Sequence, residues 1–416
     1  MEFYKKKHTK NFAIYKGILD QYSLDYLAKQ CDVSLRQLEA LAELYATNKP
    51  ASIILGWGLQ RWRKGHLTFR YIDALAAITG NIGIPGGGVS QGFDEYGFFD
   101  RRWEGEELAN HQRKLPMPTI GDAILRCEDP PIKLIFVTAG NPVNMAPNSN
   151  KVKKAFEETD FVIVVDQFLN DTAELADLFL PSTTFLEEED LVGSYGHNWI
   201  SSVNPAIPPI GESKSELEIF QLLANKLGIG DKLRGTPKEW LRRLAAPIIN
   251  QGISFKKLQA GPCRVPSAPM VPFSDYKFKT KFGKFEFVTD NVPEKTNDSQ
   301  FPYHLLSTMS QGWIGSEIPS IKQKNGILEV YIHPKVAKKE QITDGEKILL
   351  ESPVGQLLVT VKISDKVRPD VILTYRGKWM KYQQGINILT LDIMSDSGYG
   401  TPYYETRVRL KKLLDN

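Results

Sequence analysis

The strongest constraint on this chain is a set of short, nearly continuous apolar runs separated by helical stretches. Ile132–Val137, Phe161–Val165 and Leu178–Leu180 read as strands; Asn150–Glu158 reads as a helix and Asp171–Asp177 as a shorter one. A sheet with one wet face alternates polar and apolar residues, whereas strands apolar on both sides need both faces covered. That pattern points to an α/β architecture with a parallel, Rossmann-like sheet. A further amphipathic helix is expected over Glu212–Leu227, with Leu217, Phe220, Leu223, Ala224 and Leu227 on one face and Gly228 as its stop.

Upstream, Leu24, Leu27 and Ala28, then Leu35, Leu38, Leu41, Ala42 and Tyr45, recur at helical spacing, and Ser34 is placed to cap the second helix. Pro50 ends the pattern. Ala51–Leu55 reads as a buried strand running into Gly56-Trp57-Gly58, followed by a helix near Phe69–Ile78 closed by Gly80 and a tight loop over Thr79–Gly88. Residues 89–130 carry no assignable pattern, and Ala139–Pro147 reads as a loop. After Pro302, strands are expected at Leu328–Ile332, Lys347–Glu351, Gln356–Ile363 and Val371–Tyr375, with a short helix near Pro334–Lys339. A β-rich segment of this kind must close or cover its edges, so a C-terminal β barrel is expected. The chain divides by this reading into 1–80 (the end of an α/β domain), 81–228 (α/β), 229–300 (an irregular connecting segment) and 301–416 (the barrel).

Charge and composition exclude several classes. A net charge of +3 is too small to argue for nucleic acid as a partner. No apolar run approaches the roughly 20 residues needed for direct membrane insertion. The basic start MEFYKKKHTK is followed by no apolar h-region, so no export signal is read on this chain and a cytoplasmic location is expected, although an assembled enzyme could be exported. Cys31, Cys127 and Cys263 are scattered without a C-x-x-C pair, which excludes an iron–sulfur cluster held by this chain alone; all three read as buried small residues. The histidines, His111 among them, show no metal-ligand spacing, so no protein metal ligand is assigned and the catalytic residues stay unknown.

The glycine loop lacks a Gly-Lys-Ser/Thr ending and reads first as a tight connection. Asp166 directly follows one strand and Asn141 lies in the loop after another, at the carboxyl ends where open α/β sheets bind ligands. Asp166 there can accept hydrogen bonds from guanine N–H groups or ribose hydroxyls, or it can simply cap the next turn; both readings stay open. The acidic run Glu187–Asp190 reads as a solvated turn.

Several of these segments together resemble the molybdopterin oxidoreductases of the dimethyl-sulfoxide-reductase type. The matching residues are Gly56-Trp57-Gly58, TGNIGIPGGG and Gly140-Asn141-Pro142, then Asp166, Thr172-Ala173, Ala176-Asp177, Leu180-Pro181 and Glu187. Leu305–Ser310, Ile332-His333-Pro334, Asp344-Gly345, Val367-Arg368-Pro369 and Asn387-Ile388-Leu389-Thr390 resemble the family's dinucleotide-binding barrel, of double-psi type.

The resemblance implies a bis(molybdopterin guanine dinucleotide) cofactor with molybdenum or tungsten, most of whose sulfur ligands belong to the pterins. It places Asn141 and Asp166 at one guanosine, with Trp57 and Arg61 approaching the same cofactor and Glu188 and Glu216 at further nucleotide-contacting positions. Ser307, Thr308, Met309, Ser310, Gln311 and Trp313 would wrap the second pterin and its phosphates, followed by contacts from Trp379, Asn387, Tyr404 and Glu405. Glu188 and Glu405 stand where relatives often carry Lys, which argues against phosphate pairing at both. The resemblance further implies the C-terminal portion of a catalytic subunit. The metal ligand and iron–sulfur cluster would then come from an N-terminal portion or a separate cysteine-rich subunit, with an iron–sulfur electron-transfer subunit as a further candidate partner. The alternative is a non-catalytic or degenerate pterin- or guanine-nucleotide-binding module.

Overall fold

The computed structural model describes residues 7–92, 94, 96–105, 112–291, 298–323 and 325–413; His111 lies outside them. The chain forms two compact units. One comprises Met1–Gln60, Lys64–Phe93 and Ser267–Thr296; the other comprises Arg61–Arg63, Asp94–Pro266 and Asn297–Asn416. Among the described residues, no helix is long and apolar enough to cross a membrane.

The first unit opens with helices α1 (Phe12–Leu19), α2 (Leu24–Cys31) and α3 (Leu35–Thr47). Ser34 caps α3 as expected: its hydroxyl accepts from Gln37 N–H while Gln37 Oε1 accepts from Ser34 N–H, a reciprocal capping box. No residue of α3 is buried, and Leu41 is 64% exposed, so its apolar positions are not core in this unit. Strand β1 (Ser52–Ile54) pairs in parallel with β2 (Gly88–Ser90). It was expected to be buried, yet Ile54 is 85% exposed in this unit. Cys31, also expected inside, is exposed at the end of α2.

Helix α4 (Gly65–Thr79) ends at Gly80 in the left-handed region, and its Leu67, Ala74 and Ala77 pack with Tyr15, Phe287 and Val288. The glycine loop after it returns the chain to β2. A Cβ at Gly87 would meet Asn81 O at 2.3 Å, and Asn81 Oδ1 accepts from Ala51 N–H, so the loop is packed against its own strand.

The second unit contains the expected parallel sheet. Strands β3 (Leu134–Thr138), β4 (Phe161–Asp166) and β5 (Leu178–Pro181) lie in chain order, all parallel. Ala139–Pro147 is more ordered than expected, since Pro142–Met145 forms helical turn α5. Side chains alternate between faces as strand geometry requires. Ile135, Val137, Val162 and Val164 pack with Val152 and Phe156 of α6 (Ser149–Glu157), while Phe136 on the other face meets Phe220 of α7 (Glu216–Lys226) at 5.5 Å. Helix α7 starts at a Ser215 cap, later than Glu212, and Leu227 is 73% exposed, so its apolar face is only partly covered. Residues 229–300, expected to be irregular, hold helices at Pro237–Leu244, Ala246–Ile249 and Phe255–Ala260; capping at Thr236 and Ser254 supplies local order.

The C-terminal sheet is a closed six-stranded barrel. Its strands are β6 (Tyr303–Met309), β7 (Leu328–Ile332), β8 (Lys347–Ser352), β9 (Gly355–Ile363), β10 (Val371–Arg376) and β11 (Arg407–Lys412), in the order β6-β10-β7-β9-β8-β11. The pairs β6/β10 and β7/β9 are parallel. Strand β11, not anticipated from the sequence, closes the barrel by pairing antiparallel with both β6 and β8. Leu305, Val330, Ile348, Leu350, Val359 and Ile372 fill the interior. The structure is therefore α/β with a C-terminal barrel, as the sequence predicts.

Candidate active site

Two polar clusters in the second unit occupy the places the sequence singles out: the carboxyl end of the parallel sheet and the mouth of the barrel. At the sheet end, Asn141 stands at the start of α5 and is 7% exposed. Its Oδ1 accepts from Thr172 N–H (3.2 Å) and from Thr172 Oγ1 (2.8 Å), which fixes the amide orientation. Its Nδ2 is buried and has no hydrogen-bond partner. A buried amide donor left unmade carries the full desolvation penalty, so this atom is poised for an acceptor from outside the chain.

Asp166 behaves differently. Its Oδ1 accepts from Gln167 and Phe168 N–H, and its Oδ2 from Asn170 Nδ2. The carboxylate therefore does cap the turn after β4. Oδ2 keeps acceptor capacity for a second donor beside Asn170 Nδ2.

The acidic run beyond β5 is not a solvated turn at its first residue. Glu187 is 7% exposed and accepts from Thr184 N–H, Thr184 Oγ1 and Ile210 N–H, bonds that hold its carboxyl below the ordinary range. Glu188, which receives Thr183 Oγ1 at 2.9 Å, shifts the other way. Burial pushes it up first, and the charges of Asp190, Glu216 and Glu187 add to this. Burial likewise raises Glu216.

At the barrel mouth, β6 carries Ser307, Thr308 and Met309 toward Ser310, Gln311 and Trp313. Ser307 is 1% exposed, and its Oγ has no partner. A pocket of about 200 Å³ opens there, lined by Ser310, Trp313, Lys322, Gln323 and Lys378. Trp379 lies beneath it. Its indole N–H donates to Ser316 O and its backbone N–H to Gln323 Oε1, so it braces the pocket wall with its polar atom already used.

Asn387 is also fully engaged. Its Nδ2 donates to Asn144 O (2.9 Å) and Met145 O (3.1 Å), and Thr390 Oγ1 donates to its Oδ1. These bonds tie the barrel to α5. Asp171 does the same from the sheet side, accepting from Asn144 Nδ2, Met380 N–H and Lys381 N–H at 2.7, 2.9 and 2.8 Å.

Tyr404 is 7% exposed and packs edge-on against Trp62 at 5.7 Å, whereas Glu405 Oε1 accepts from Arg63 N–H. Arg61 stacks 5.1 Å from the Tyr403 ring, whose hydroxyl donates to Met145 O. Trp57 belongs to the first unit and is 46% exposed there.

Sequence reasoning missed Arg376, Tyr403, Lys378 and Asp171. Arg376 had a legible signal: it shares the inward phase of β10 with Ile372 and Thr374, where a charged residue is out of place. Asp171 had none, because two of its three donors are backbone N–H groups more than 200 residues away.

Comparison with known proteins agrees with this arrangement. Residues 12–226 match the molybdopterin oxidoreductase family, and residues 311–408 match the molydopterin dinucleotide binding domain. A Bacillus subtilis protein described as a probable oxidoreductase, YyaE, is 33% identical over 99% of this chain and 65% of its own length. The F420-dependent formate dehydrogenase 1 subunit alpha of Methanococcus maripaludis is 25% identical over 89% of this chain and 60% of its own. The chain thus spans less than two thirds of these relatives. The solved structure of acetylene hydratase from Pelobacter acetylenicus superposes with a TM-score of 0.77 over 99% of this chain and 68% of its own, at 18% identity, a likeness of fold alone. With more than half of its length matched in a single segment, the chain belongs to the molybdopterin oxidoreductase family.

Proposed function

We propose that the second unit binds the guanosine and pterin arms of a bis(molybdopterin guanine dinucleotide) cofactor, carrying molybdenum or tungsten, in an oxidoreductase. The observation that carries this reading is Asn141: one side of its amide is locked by Thr172 and the other presents a buried, unpartnered N–H at the carboxyl end of the sheet. The unpartnered Ser307 Oγ at the barrel mouth gives a second donor of the same kind. Donors buried without acceptors fit a ligand rich in carbonyl and phosphate oxygens, so the residues present fit the group.

In this reading Asn141 orients the base or ribose, and the free acceptor capacity of Asp166 receives a guanine N–H. Arg61, Glu188, Glu216, Ser307, Thr308, Met309, Ser310, Gln311 and Trp313 of the same unit surround the cofactor. Trp379, Asn387 and Glu405 act mainly by holding loops in place, given how far their polar atoms are engaged, and Tyr404 does so by packing against Trp62. When bound, the dithiolene-held metal supplies the redox chemistry.

We further propose that the protein metal ligand and the iron–sulfur cluster come from polypeptide outside these 416 residues. The share of the relatives' length that the chain spans supports this, and a relative named as a subunit alpha supports partner subunits.

The test is co-expression with a cysteine-rich partner, then metal analysis and fluorescence of the oxidised pterin on the purified complex. About one metal and two pterins per complex are expected. Asn141→Ala should lower cofactor retention about tenfold, the loss of one charge-free hydrogen bond to a buried acceptor, beyond the fall in melting temperature caused by the bonds Thr172 loses. A well-folded complex without pterin would sink the reading. Pterin retained without redox turnover would leave a binding module.

A further inference from the structure

We propose that the turn Phe278–Lys284 of the first unit, together with Lys10, is a docking surface for an anionic phospholipid bilayer. The surface lies wholly within that unit and is independent of the cofactor reading.

Residues 273–284 read FSDYKFKTKFGK, with aromatic rings and lysines interleaved. Some of the rings serve the core. Phe278 stacks on Phe273 at 5.0 Å and meets Phe285 edge-on at 5.7 Å, and Phe285 packs in turn against Phe287 at 4.9 Å. Thr280 closes the turn: its carbonyl accepts from Gly283 N–H, and its Oγ1 accepts from Lys284 N–H and donates to Lys284 O. Gly283 takes the left-handed conformation that this reversal needs.

What the core does not use is left outside. Phe282, at the tip, is 50% exposed, and Lys277, Lys279 and Lys281 around it are exposed as well. Lys10 joins them from the other end of the chain. The two-residue strand Thr9–Lys10 pairs in parallel with Phe285–Glu286, which puts Lys10 Nζ 3.4 Å from the centroid of the Phe282 ring. Lys281 Nζ lies 5.8 Å from the same ring.

Among the described residues, no carboxylate forms an ion pair with Lys10, Lys277, Lys279, Lys281 or Lys284. Asp290 instead stands 3.9 Å from Arg70, Asp275 Oδ1 accepts from Lys277 N–H, and Glu286 Oε1 is buried. Lysines this close repel one another within a screening length of about 8 Å at physiological salt. A negatively charged surface relieves that repulsion.

The chemistry of the turn favours a bilayer over other polyanions. Its cations are all lysines, point charges without the planar fork that makes arginine the usual partner of a single phosphate or carboxylate; a diffuse charged surface needs no such fork. One face of Phe282 is covered by the Lys10 ammonium, which leaves the ring poorly placed to stack on a nucleic-acid base. An exposed ring flanked by lysines matches the bilayer interface, where the ring enters the headgroup boundary and the ammonium groups meet lipid phosphates. Phe273, 46% exposed, offers a second apolar contact beside it.

The experiment sediments the 416-residue protein with vesicles of phosphatidylcholine and phosphatidylglycerol in a ratio of about two to one, and with pure phosphatidylcholine vesicles, at about 0.1 M salt. Binding is expected to the anionic vesicles alone, and should fall at least tenfold on raising the salt to about 0.5 M. Lys279→Gln and Lys281→Gln should each lower the partition about fivefold, and together about 25-fold. Phe282→Ala should lower it about fivefold at the same salt, a loss that a purely electrostatic contact would not show. Melting temperatures of the lysine variants should match that of the unmodified protein, since neither side chain forms an ion pair. No binding to anionic vesicles, equal binding to both kinds, or a partition unchanged in the double lysine variant or in Phe282→Ala overturns the surface. Lysine-dependent binding of poly-glutamate or of DNA without vesicle binding overturns it too, and assigns the turn to a different polyanion.

Discussion

The barrel and the three-stranded parallel sheet of the second unit are both built from apolar strands, yet they solve the edge problem in opposite ways. The barrel closes on itself, and the inward residues Val330, Ile348, Leu350, Val359 and Ile372 are each 0% exposed. The sheet stays open and is covered by helices; its strand starts at Leu134, Phe161 and Leu178 are 51%, 41% and 41% exposed. One consequence is that the barrel buries its strands against one another, while the sheet needs helices to cover it. Another is that binding groups gather where each ends: the sheet's carboxyl edge and the barrel's mouth.

The largest effect should come from the barrel core. Leu350→Ala is expected to cost about 4 kcal/mol, read as a lower urea midpoint at unchanged slope, because a closed interior cannot collapse around the cavity. Next is the tie between the two regions. Asp171→Ala removes one carboxylate from three donors and should cost about 3 kcal/mol in the same measurement. A loss below about 1 kcal/mol would mean that sheet and barrel are independent.

Leu178→Ala, at a part-exposed strand start, should cost about 1 kcal/mol. A cost equal to that of Leu350→Ala would break the comparison outright.

The smallest effects are opposed in sign and belong to adjacent residues at the sheet edge. The folded state lowers the Glu187 carboxyl, so its contribution is present above the unfolded value and is lost as pH falls through the folded one, below about pH 4. Glu188 is raised, so its ionised form opposes folding at neutral pH and this penalty fades as pH falls through its folded value. Melting temperatures recorded from pH 3 to 7 should therefore show Glu187→Gln less stable than wild type at pH 7 and Glu188→Gln more stable. Both differences should shrink toward pH 3; shifts of the same sign would refute the assignment.

Much of the fold was legible in the residues. The apolar runs gave β3, β4 and β5 with parallel pairing, because continuous hydrophobicity reports two covered faces. Ser34 gave its helix start, because a cap and its capping-box partner lie three residues apart. Local signals failed where burial depends on neighbours distant in sequence. Strand β1 has a buried strand's composition and an exposed side chain at Ile54, while β11, rich in Arg and Lys, offers only Val408 and Leu410 as an apolar signal and still closes the barrel.

The site divides along the same line. Asn141 and Asp166 could be placed by their position after strands, since strand direction fixes which end of a parallel sheet they occupy. The distinction between them could not: one amide N–H is left unpartnered, while the neighbouring carboxylate caps its own turn. Asn387 belonged to a recognisable motif, but only packing shows its amide spent on Asn144 and Met145.

By itself, then, the sequence determined the elements, the parallel sheet, the barrel and the family, because periodicity, capping and motif order are local properties of the chain. The tertiary structure alone decided which polar groups are already satisfied and which are left over. Hydrogen-bond partners and counter-charges come from residues far apart in sequence, as at Arg376, whose Nε meets Met309 Sδ while its Nη1 is buried without a hydrogen-bond partner.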